Sequence, residues 1–113
     1  MLSRADLVIV NPFEYERLDK RRARFVALTL GAVGARLLRR GRVVSEASPP
    51  RVTAVDGTGA GDAFAACLVV SLLEGRPEDE ALRRGCAAGA LAASRHGAQP
   101  SLPTAAEIDR ILS

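Results

Sequence analysis

A glycine-rich stretch, residues 56–64 (Asp-Gly-Thr-Gly-Ala-Gly-Asp-Ala-Phe), runs directly into an apolar, alanine-rich segment that reaches residue 73. Glycines let the backbone turn sharply and let a ligand approach without a Cβ in the way. The N–H groups in the first turn of a helix have no partner inside the helix, and the helix dipole is positive there. The sequence therefore predicts a loop that leads into a helix N-terminus and can hold an anion.

Asp62 places a carboxylate beside this predicted anion site. The combination suits phosphoryl transfer, because the loop stabilises phosphate charge while the carboxylate takes a proton from an attacking hydroxyl. A structural interpretation is also available, since a first-turn aspartate stabilises a helix through the dipole and glycine clusters before helices are common. These residues alone leave both interpretations open.

The composition describes a modest, soluble domain. With 113 residues, of which 48% are hydrophobic and 26% charged, there is room for one domain with a small core. The net charge is +3 and the chain is poor in aromatic residues, at 4%, so we expect a solvated basic face and no nucleic-acid partner, with a basic domain that binds nucleic acid as the alternative. No signal peptide and no membrane-spanning run is present, which predicts a cytoplasmic protein with no membrane partner. Cys67 and Cys86 are expected to be buried free thiols.

The order of the predicted elements indicates an α/β domain. Two continuous apolar runs predict strands that are buried on both faces, and glycines and prolines separate the later elements. Alternating strands and helices imply a layered fold with a largely parallel sheet and a small hairpin, in which ligands bind at the carboxyl ends of strands. The predicted strands cover 7–10, 25–30, 35–38, 42–44 and 51–55, and the predicted helices cover 13–18, 60–73, 77–93 and 104–112.

The glycine-rich stretch resembles the second signature of the PfkB/ribokinase family of carbohydrate kinases. Residues 26–34 (VALTLGAVG) are similar to the nucleotide-binding strand and turn of that family, and residues 11–16 (NPFEYE) to its Asn-x-x-Glu segment. Residues 97–103 (GAQPSLP) are similar to the ribokinase branch. The motifs occur in the family's order along nearly the whole chain. The resemblance implies a ribokinase-like layered fold and ATP-dependent phosphorylation of a sugar hydroxyl.

The resemblance also implies roles for individual residues. Asp62 matches the general base, and the backbone N–H groups of Gly59, Ala60 and Gly61 match the anion hole. Without the resemblance, the turn after the second strand is a plain strand-to-hairpin connection, Asn-Pro is a turn, and a cysteine in an apolar helix is a packing residue. The residues that match nucleotide contacts are Asn11, Thr29, Gly31, Gly34, Gly61 and Cys86.

Two cations are implied in the same way. Glu14 matches a position that assists Mg²⁺ through water, although an isolated surface glutamate is the alternative. His96 is expected to stabilise a helix C-terminus and is assigned no catalytic role. A monovalent-cation site for K⁺ is implied at Asp56, Thr58, Ala92, Arg95, Gly97 and Ser101, with a simple turn over residues 97–103 as the alternative.

The chain departs from the family in length. Family members are much longer, so residues 1–113 match a single partial domain, the C-terminal nucleotide-binding part, and the N-terminal sugar-binding part is expected to be absent. The expected ligands are ATP and a sugar, with a homodimer or a separate N-terminal sugar-binding chain as possible partners. The alternative function is that of a non-catalytic nucleotide-binding fragment or a degenerate remnant.

Overall fold

The computed structural model describes residues 7–19, 23–50, 59–94 and 102–113, which form one sheet with helices on both faces. The α/β class is confirmed, and the predicted strand at 51–55 lies outside the described residues. A short 3₁₀ turn, Gly31–Val33, connects two of the strands. The strands are β1 (Leu7–Val10), β2 (Phe25–Thr29), β3 (Ala35–Arg39) and β4 (Arg42–Ala47), and the helices are α1 (Pro12–Arg17), α2 (Ala60–Leu73), α3 (Glu78–Ala93) and α4 (Ala105–Leu112).

The strands lie side by side in their chain order, β1-β2-β3-β4. β1 pairs with β2 in parallel, with Leu7 opposite Phe25, and α1 forms the crossover between them. β2 pairs antiparallel with β3 across the Gly31–Gly34 turn, and β3 pairs antiparallel with β4 because a tight turn at Gly41 closes the hairpin. The described strands therefore form a mixed sheet with one parallel and two antiparallel pairings, where the sequence predicted a largely parallel one. The hairpin was predicted, and its strands extend further than expected, to Arg39 and Ala47.

β2 is the central strand of the core, and its continuous apolar sequence buries side chains on both faces. Phe25 and Ala27 point into a cluster that α2 and α3 complete with Phe64, Leu68 and other residues. The alternate side chains of β2 belong to a second cluster on the opposite face, which also contains Val10, Leu38 and the half-buried Tyr15 and Leu18. The sheet is therefore covered by α2 and α3 on one face and by α1 on the other.

Glycines set the distance between α2 and α3. A Cβ placed on Gly85 would lie 3.1 Å from ring atoms of Phe64 and 3.3 Å from the Phe64 carbonyl oxygen. A Cβ on Gly89 would lie 3.2 Å from the carbonyl oxygen of Ala60. The small residues of α3 thus allow close helix packing, and the two contacts show that α2 runs antiparallel to α3. No helix within the described ranges combines the length and the apolar character needed to cross a bilayer.

α4 is fixed to α3 by one ion pair and one apolar cluster. Arg84 on α3 is buried and forms an ion pair with Asp109 on α4. Ile108 packs beside Ala63, Ala87 and Ala88, which joins α4 to both long helices. The helix starts with a capping box, in which Thr104 and Glu107 exchange hydrogen bonds.

We predict that Gly85→Ala lowers the free energy of unfolding relative to Gly61→Ala by about 1–3 kcal/mol. Both substitutions add a methyl group to a helical glycine, but a Cβ at Gly61 meets nothing within 4 Å. The gain in helix propensity is larger at the interior position 85 than in the first turn at 61, so a net loss at position 85 comes from the contact with Phe64. Urea denaturation of the two variants measures it, and equal midpoints would contradict the packing argument.

Candidate functional site

The carboxyl ends of the two parallel strands lie at the same edge of the sheet. β4 also ends at this edge, so the segment that follows β4 begins there. Val10 and Thr29 are the last residues of β1 and β2. Thr29 stands opposite Ala35, and Ala35 stands opposite Ala47, so the end of β4 lies in the same row. We call this row the loop edge of the sheet. The Asn11 segment and the Gly31–Gly34 turn both start there.

The N-terminus of α2 lies toward the same edge. The Cys86 thiol on α3 donates to the carbonyl oxygen of Ala47 at 3.7 Å, so the second half of α3 lies over the loop edge. Gly89, almost one turn further along α3, contacts Ala60 at the start of α2. At the other end of α3, Glu78 forms an ion pair with Arg39 at 3.8 Å, next to the opposite edge of the sheet. The start of α2 therefore lies toward the same side of the sheet as the Asn11 segment and the Gly31–Gly34 turn.

Gly59 adopts a left-handed conformation, with φ of 81°, immediately before α2. The first helical hydrogen bond runs from the Ala63 N–H to the Gly59 carbonyl at 2.9 Å. The N–H groups of Ala60, Gly61 and Asp62 precede that bond and so have no partner inside the helix. The Asp62 side chain is exposed in the first turn of α2, beside these donors. This arrangement offers an anion several donors next to one carboxylate.

The Asn-x-x-Glu segment forms a reciprocal cap at the start of α1. The Asn11 side-chain oxygen accepts a hydrogen bond from the Glu14 N–H at 2.8 Å, and a Glu14 carboxylate oxygen accepts one from the Asn11 N–H at 2.9 Å. Pro12 occupies the first helical position, where its missing N–H costs nothing. Sequence reasoning interpreted Asn11 as a turn residue or a ligand contact and missed this capping box. Asn, Pro and Glu at these three positions were the signal for it.

The turn after β2 is shaped by two glycines with different constraints. Gly31 and Gly34 both have positive φ, 62° and 130°. The Leu30 N–H donates to the Gly34 carbonyl at 2.8 Å, which closes the turn. A Cβ on Gly34 would clash with the backbone of Ala47 and Ser48, whereas one on Gly31 would meet nothing within 4 Å. Position 34 thus requires glycine both for its positive φ and because there is no room for a Cβ. Position 31 favours glycine only for its positive φ.

The two cysteines have different environments. Cys86 is 5% exposed and belongs to the core between the sheet and α3, in agreement with the packing interpretation of this residue. Burial raises the pKa of its thiol to about 11. Cys67 on α2 is only half-buried, with its sulfur 3.9 Å from the Ser71 hydroxyl, and burial also raises the pKa of this thiol. Both cysteines are free thiols, as expected.

Most of the predicted monovalent-cation positions, and His96, lie outside the described residues. Ala92 is described and packs half-buried beside the cluster that joins α2, α3 and α4. Within the described ranges, no three His, Cys, Asp or Glu side chains gather closely enough to hold a metal ion. The predicted positions outside the described ranges are Asp56, Thr58, Arg95, Gly97 and Ser101.

Comparison with known families agrees with this architecture. Residues 5–105 match the family described as pfkB family carbohydrate kinase. The chain belongs to this family. Among its relatives, the ribokinase of Haemophilus influenzae is 43% identical over 84 residues, which cover 73% of this chain and 26% of that protein. A ribokinase of Arabidopsis thaliana is 35% identical over 88 residues, which cover 77% of this chain and 23% of that protein.

Solved ribokinase structures share the fold of this family member. The structure of Arabidopsis thaliana ribokinase complexed with ribose and ATP superposes with a TM-score of 0.85 at 30% identity, covering 95% of this chain and 40% of that one. Ribokinase from Thermotoga maritima gives a TM-score of 0.81, also at 30% identity, and is covered to 42%. The chain therefore has a partial ribokinase-like fold and spans about a quarter of the length of the curated relatives it matches.

We predict that Gly34→Ala costs about 1–3 kcal/mol more stability than Gly31→Ala. Both substitutions place a side chain at positive φ, but only a Cβ at position 34 collides with the backbone of β4. Because backbone atoms cannot move aside as a flexible side chain can, the hairpin itself must shift. Chemical denaturation compares the two variants. Similar losses would mean that the turn relaxes away from Ala47 at little cost.

We predict that Cys86 makes the fold less stable at alkaline pH. Its pKa is raised in the folded chain from 9.0 to about 11, so the unfolded chain releases the thiol proton first as the pH rises. Stability that is fully present below pH 9 is therefore lost between pH 9 and 11. Denaturation midpoints over this range should fall more steeply for the wild type than for Cys86→Ala, and parallel profiles would contradict the prediction.

Proposed function

We propose that this chain provides the ATP-binding and proton-transfer side of a carbohydrate kinase that phosphorylates a sugar hydroxyl. One observation carries the proposal: the N-terminus of α2, with the exposed Asp62 in its first turn, lies toward the loop edge where the Asn11 segment and the Gly31–Gly34 turn begin. In a doubly covered α/β sheet, ligands bind beyond the carboxyl ends of the strands. Membership in the pfkB family supplies the class of reaction.

In this proposal Asp62 is the general base. A sugar hydroxyl is a weak nucleophile at neutral pH, and a carboxylate within hydrogen-bond reach takes its proton while the new phosphorus–oxygen bond forms. The exposed position of Asp62 leaves its carboxylate accessible to a substrate. The backbone N–H groups of Gly59, Ala60 and Gly61 form the anion hole, since the positive φ of Gly59 and the start of α2 leave first-turn donors without helical partners.

The nucleotide occupies the rest of the loop edge. The relative whose structure contains ATP and ribose aligns over 95% of this chain, which supports ATP as the phosphoryl donor. Asn11 suits a phosphate contact, because its side-chain oxygen is engaged by Glu14 while the N–H groups of its side-chain amide are outside the capping box. The nucleotide-contacting set of the proposal is Asn11, Thr29, Gly31, Gly34 and Gly61, whereas Cys86, at 5% exposure, has the packing role.

The cations of the proposal are Mg²⁺ and K⁺. One carboxylate oxygen of Glu14 accepts from the Asn11 N–H, and the other is outside the capping box, which is compatible with a water-mediated Mg²⁺ contact. When bound with the nucleotide, Mg²⁺ would neutralise phosphate charge. A K⁺ site at Asp56, Thr58, Ala92, Arg95, Gly97 and Ser101 would help to order the glycine-rich loop.

The sugar site of the proposal needs residues beyond this chain. The chain spans 40% of the ribokinase that contains ribose and ATP. A second polypeptide or a second copy that completes the sugar site is therefore part of the proposal. Residues 1–113 are the nucleotide-binding part, and a nucleotide-binding fragment without turnover is the alternative outcome of the test below.

We predict that Asp62→Asn lowers the rate of sugar phosphorylation by about 10²- to 10⁴-fold while MgATP affinity stays within a few-fold of wild type. The matched control is Asp79→Asn, which removes an exposed first-turn aspartate from α3 and so imposes the same loss of dipole interaction. Calorimetric titration with MgATP in K⁺ buffer and an ADP-release assay with ribose and fructose measure the two quantities.

Three outcomes are distinguishable in this experiment. Loss of turnover in Asp62→Asn alone supports the general base. Equal turnover in both variants would reject Asp62 in that role. MgATP binding by the wild type without turnover on ribose or fructose would favour the nucleotide-binding alternative for this chain by itself.

A further inference from the structure

We propose that Thr29 is a positioning residue, whose hydroxyl holds the end of β1 against the end of β2 and so fixes the Asn11 cap beside the Gly31–Gly34 turn. The Thr29 hydroxyl donates a hydrogen bond to the carbonyl oxygen of Val10 at 3.2 Å. Val10 is the last residue of β1, and Asn11 follows it directly. This inference rests on the proposed nucleotide role of the loop edge and changes the role of Thr29 within it.

The Thr29 hydrogen bond lies where β1 and β2 lead into different loops. The Leu30 N–H lies on the β3 side of β2, as the alternation along a strand requires, and donates to the Gly34 carbonyl at 2.8 Å. That bond therefore belongs to the glycine turn and makes no link to β1. The hydroxyl of Thr29 supplies a donor to Val10 where the strands separate into two different loops. One residue thus connects the Asn11 segment to the turn after β2.

The chemistry of a hydroxyl separates positioning from direct contact. Threonine has one O–H hydrogen, and phosphate oxygens at neutral pH accept hydrogen bonds. Because the Thr29 hydrogen is used by Val10, the hydroxyl cannot donate to a phosphate without breaking the link between the strands. The Asn11 side-chain amide has two N–H donors outside the capping box, so Asn11 can contact a phosphate while its own position is held through Val10 and Thr29.

The decisive variants are Thr29→Val, which keeps the shape but removes the hydroxyl, and Thr29→Ser, which keeps the hydroxyl. In the nucleotide-free full chain, amide hydrogen exchange at Asn11 and Glu14 reports whether the cap is held. Loss of one hydrogen bond in Thr29→Val should make exchange at the Asn11 and Glu14 amides about 2- to 10-fold faster. The reference is the exchange rate of the Leu82 amide in the core of α3. Thr29→Ser should behave as the wild type.

A calorimetric titration with MgATP completes the test. Thr29→Val should weaken binding by about 2- to 10-fold, and Thr29→Ser should restore it. Weaker binding with unchanged exchange at Asn11 and Glu14 would identify a direct contact and overturn the positioning role. Unchanged exchange together with unchanged binding in Thr29→Val would also overturn the positioning role. So would a Thr29→Ser variant with the same effects as Thr29→Val, because serine keeps the hydroxyl and the effect would then belong to the methyl group.

The nucleotide-free readout separates this inference from the proposed function. If wild-type chain does not bind MgATP, the proposed function fails, while the exchange rates still decide whether Thr29 holds the cap. Should Thr29→Val not fold, Thr29→Ala, which also lacks the hydroxyl, takes its place in both measurements.

Discussion

The close packing of α2 against α3 is the constraint on which the rest of the structure depends. Gly85 and Gly89 remove side chains from the contact, so Phe64 and Ala60 of α2 approach the α3 backbone directly. Interiors are packed as densely as crystals, and a shift in this contact is transmitted to whatever the helices carry. The start of α2 carries Gly59 and Asp62, and α3 contacts the end of β4 through Cys86. The packing therefore sets where the glycine-rich loop lies relative to the sheet.

The loop edge is built from backbone contacts more than from charged side chains. Gly34 fits against the β4 backbone, the Leu30 N–H closes the turn, and the Thr29 hydroxyl connects β2 to β1. Backbone contacts define positions with little freedom, because each peptide group has a fixed direction. A phosphate site benefits from such rigidity, since preorganised donors do not need to reorganise when charge develops. The exposed Asp62 is the exception, as a charged side chain in the first turn of α2.

Local patterns predicted most of the fold because its elements have strong local signals. α2 has the predicted bounds, Ala60 to Leu73, since a glycine loop precedes it and Glu74-Gly75 follows it. The pfkB resemblance, carried by motifs in order, was confirmed over residues 5–105. The roles of Asp62 and of the nucleotide and cation residues remain predictions.

Contacts between distant segments were beyond sequence reasoning. The clash that reserves position 34 for glycine depends on how Ala47 is placed by an irregular β3–β4 register, with its shift between Leu37 and Leu38. The hydrogen bond from Thr29 joins residues 19 positions apart in sequence. Such contacts arise from tertiary geometry, and no local pattern encodes them. The Asn11–Glu14 capping box differs, because its signal is local and was assigned to another role.

The ion pair between Arg84 and Asp109 makes the C-terminal helix part of the body of the fold. α4 has only eight residues, too few to be a stable helix by itself in water. Its Asp109 carboxylate is nevertheless the ion-pair partner of Arg84, which is 6% exposed inside the helix layer. A chain cut before Asp109 would remove the counter-charge of a buried cation together with part of the apolar contact around it, which is more costly than losing a surface tail. Shortened versions of this protein, or fusions to its C-terminus, should therefore keep α4 whole.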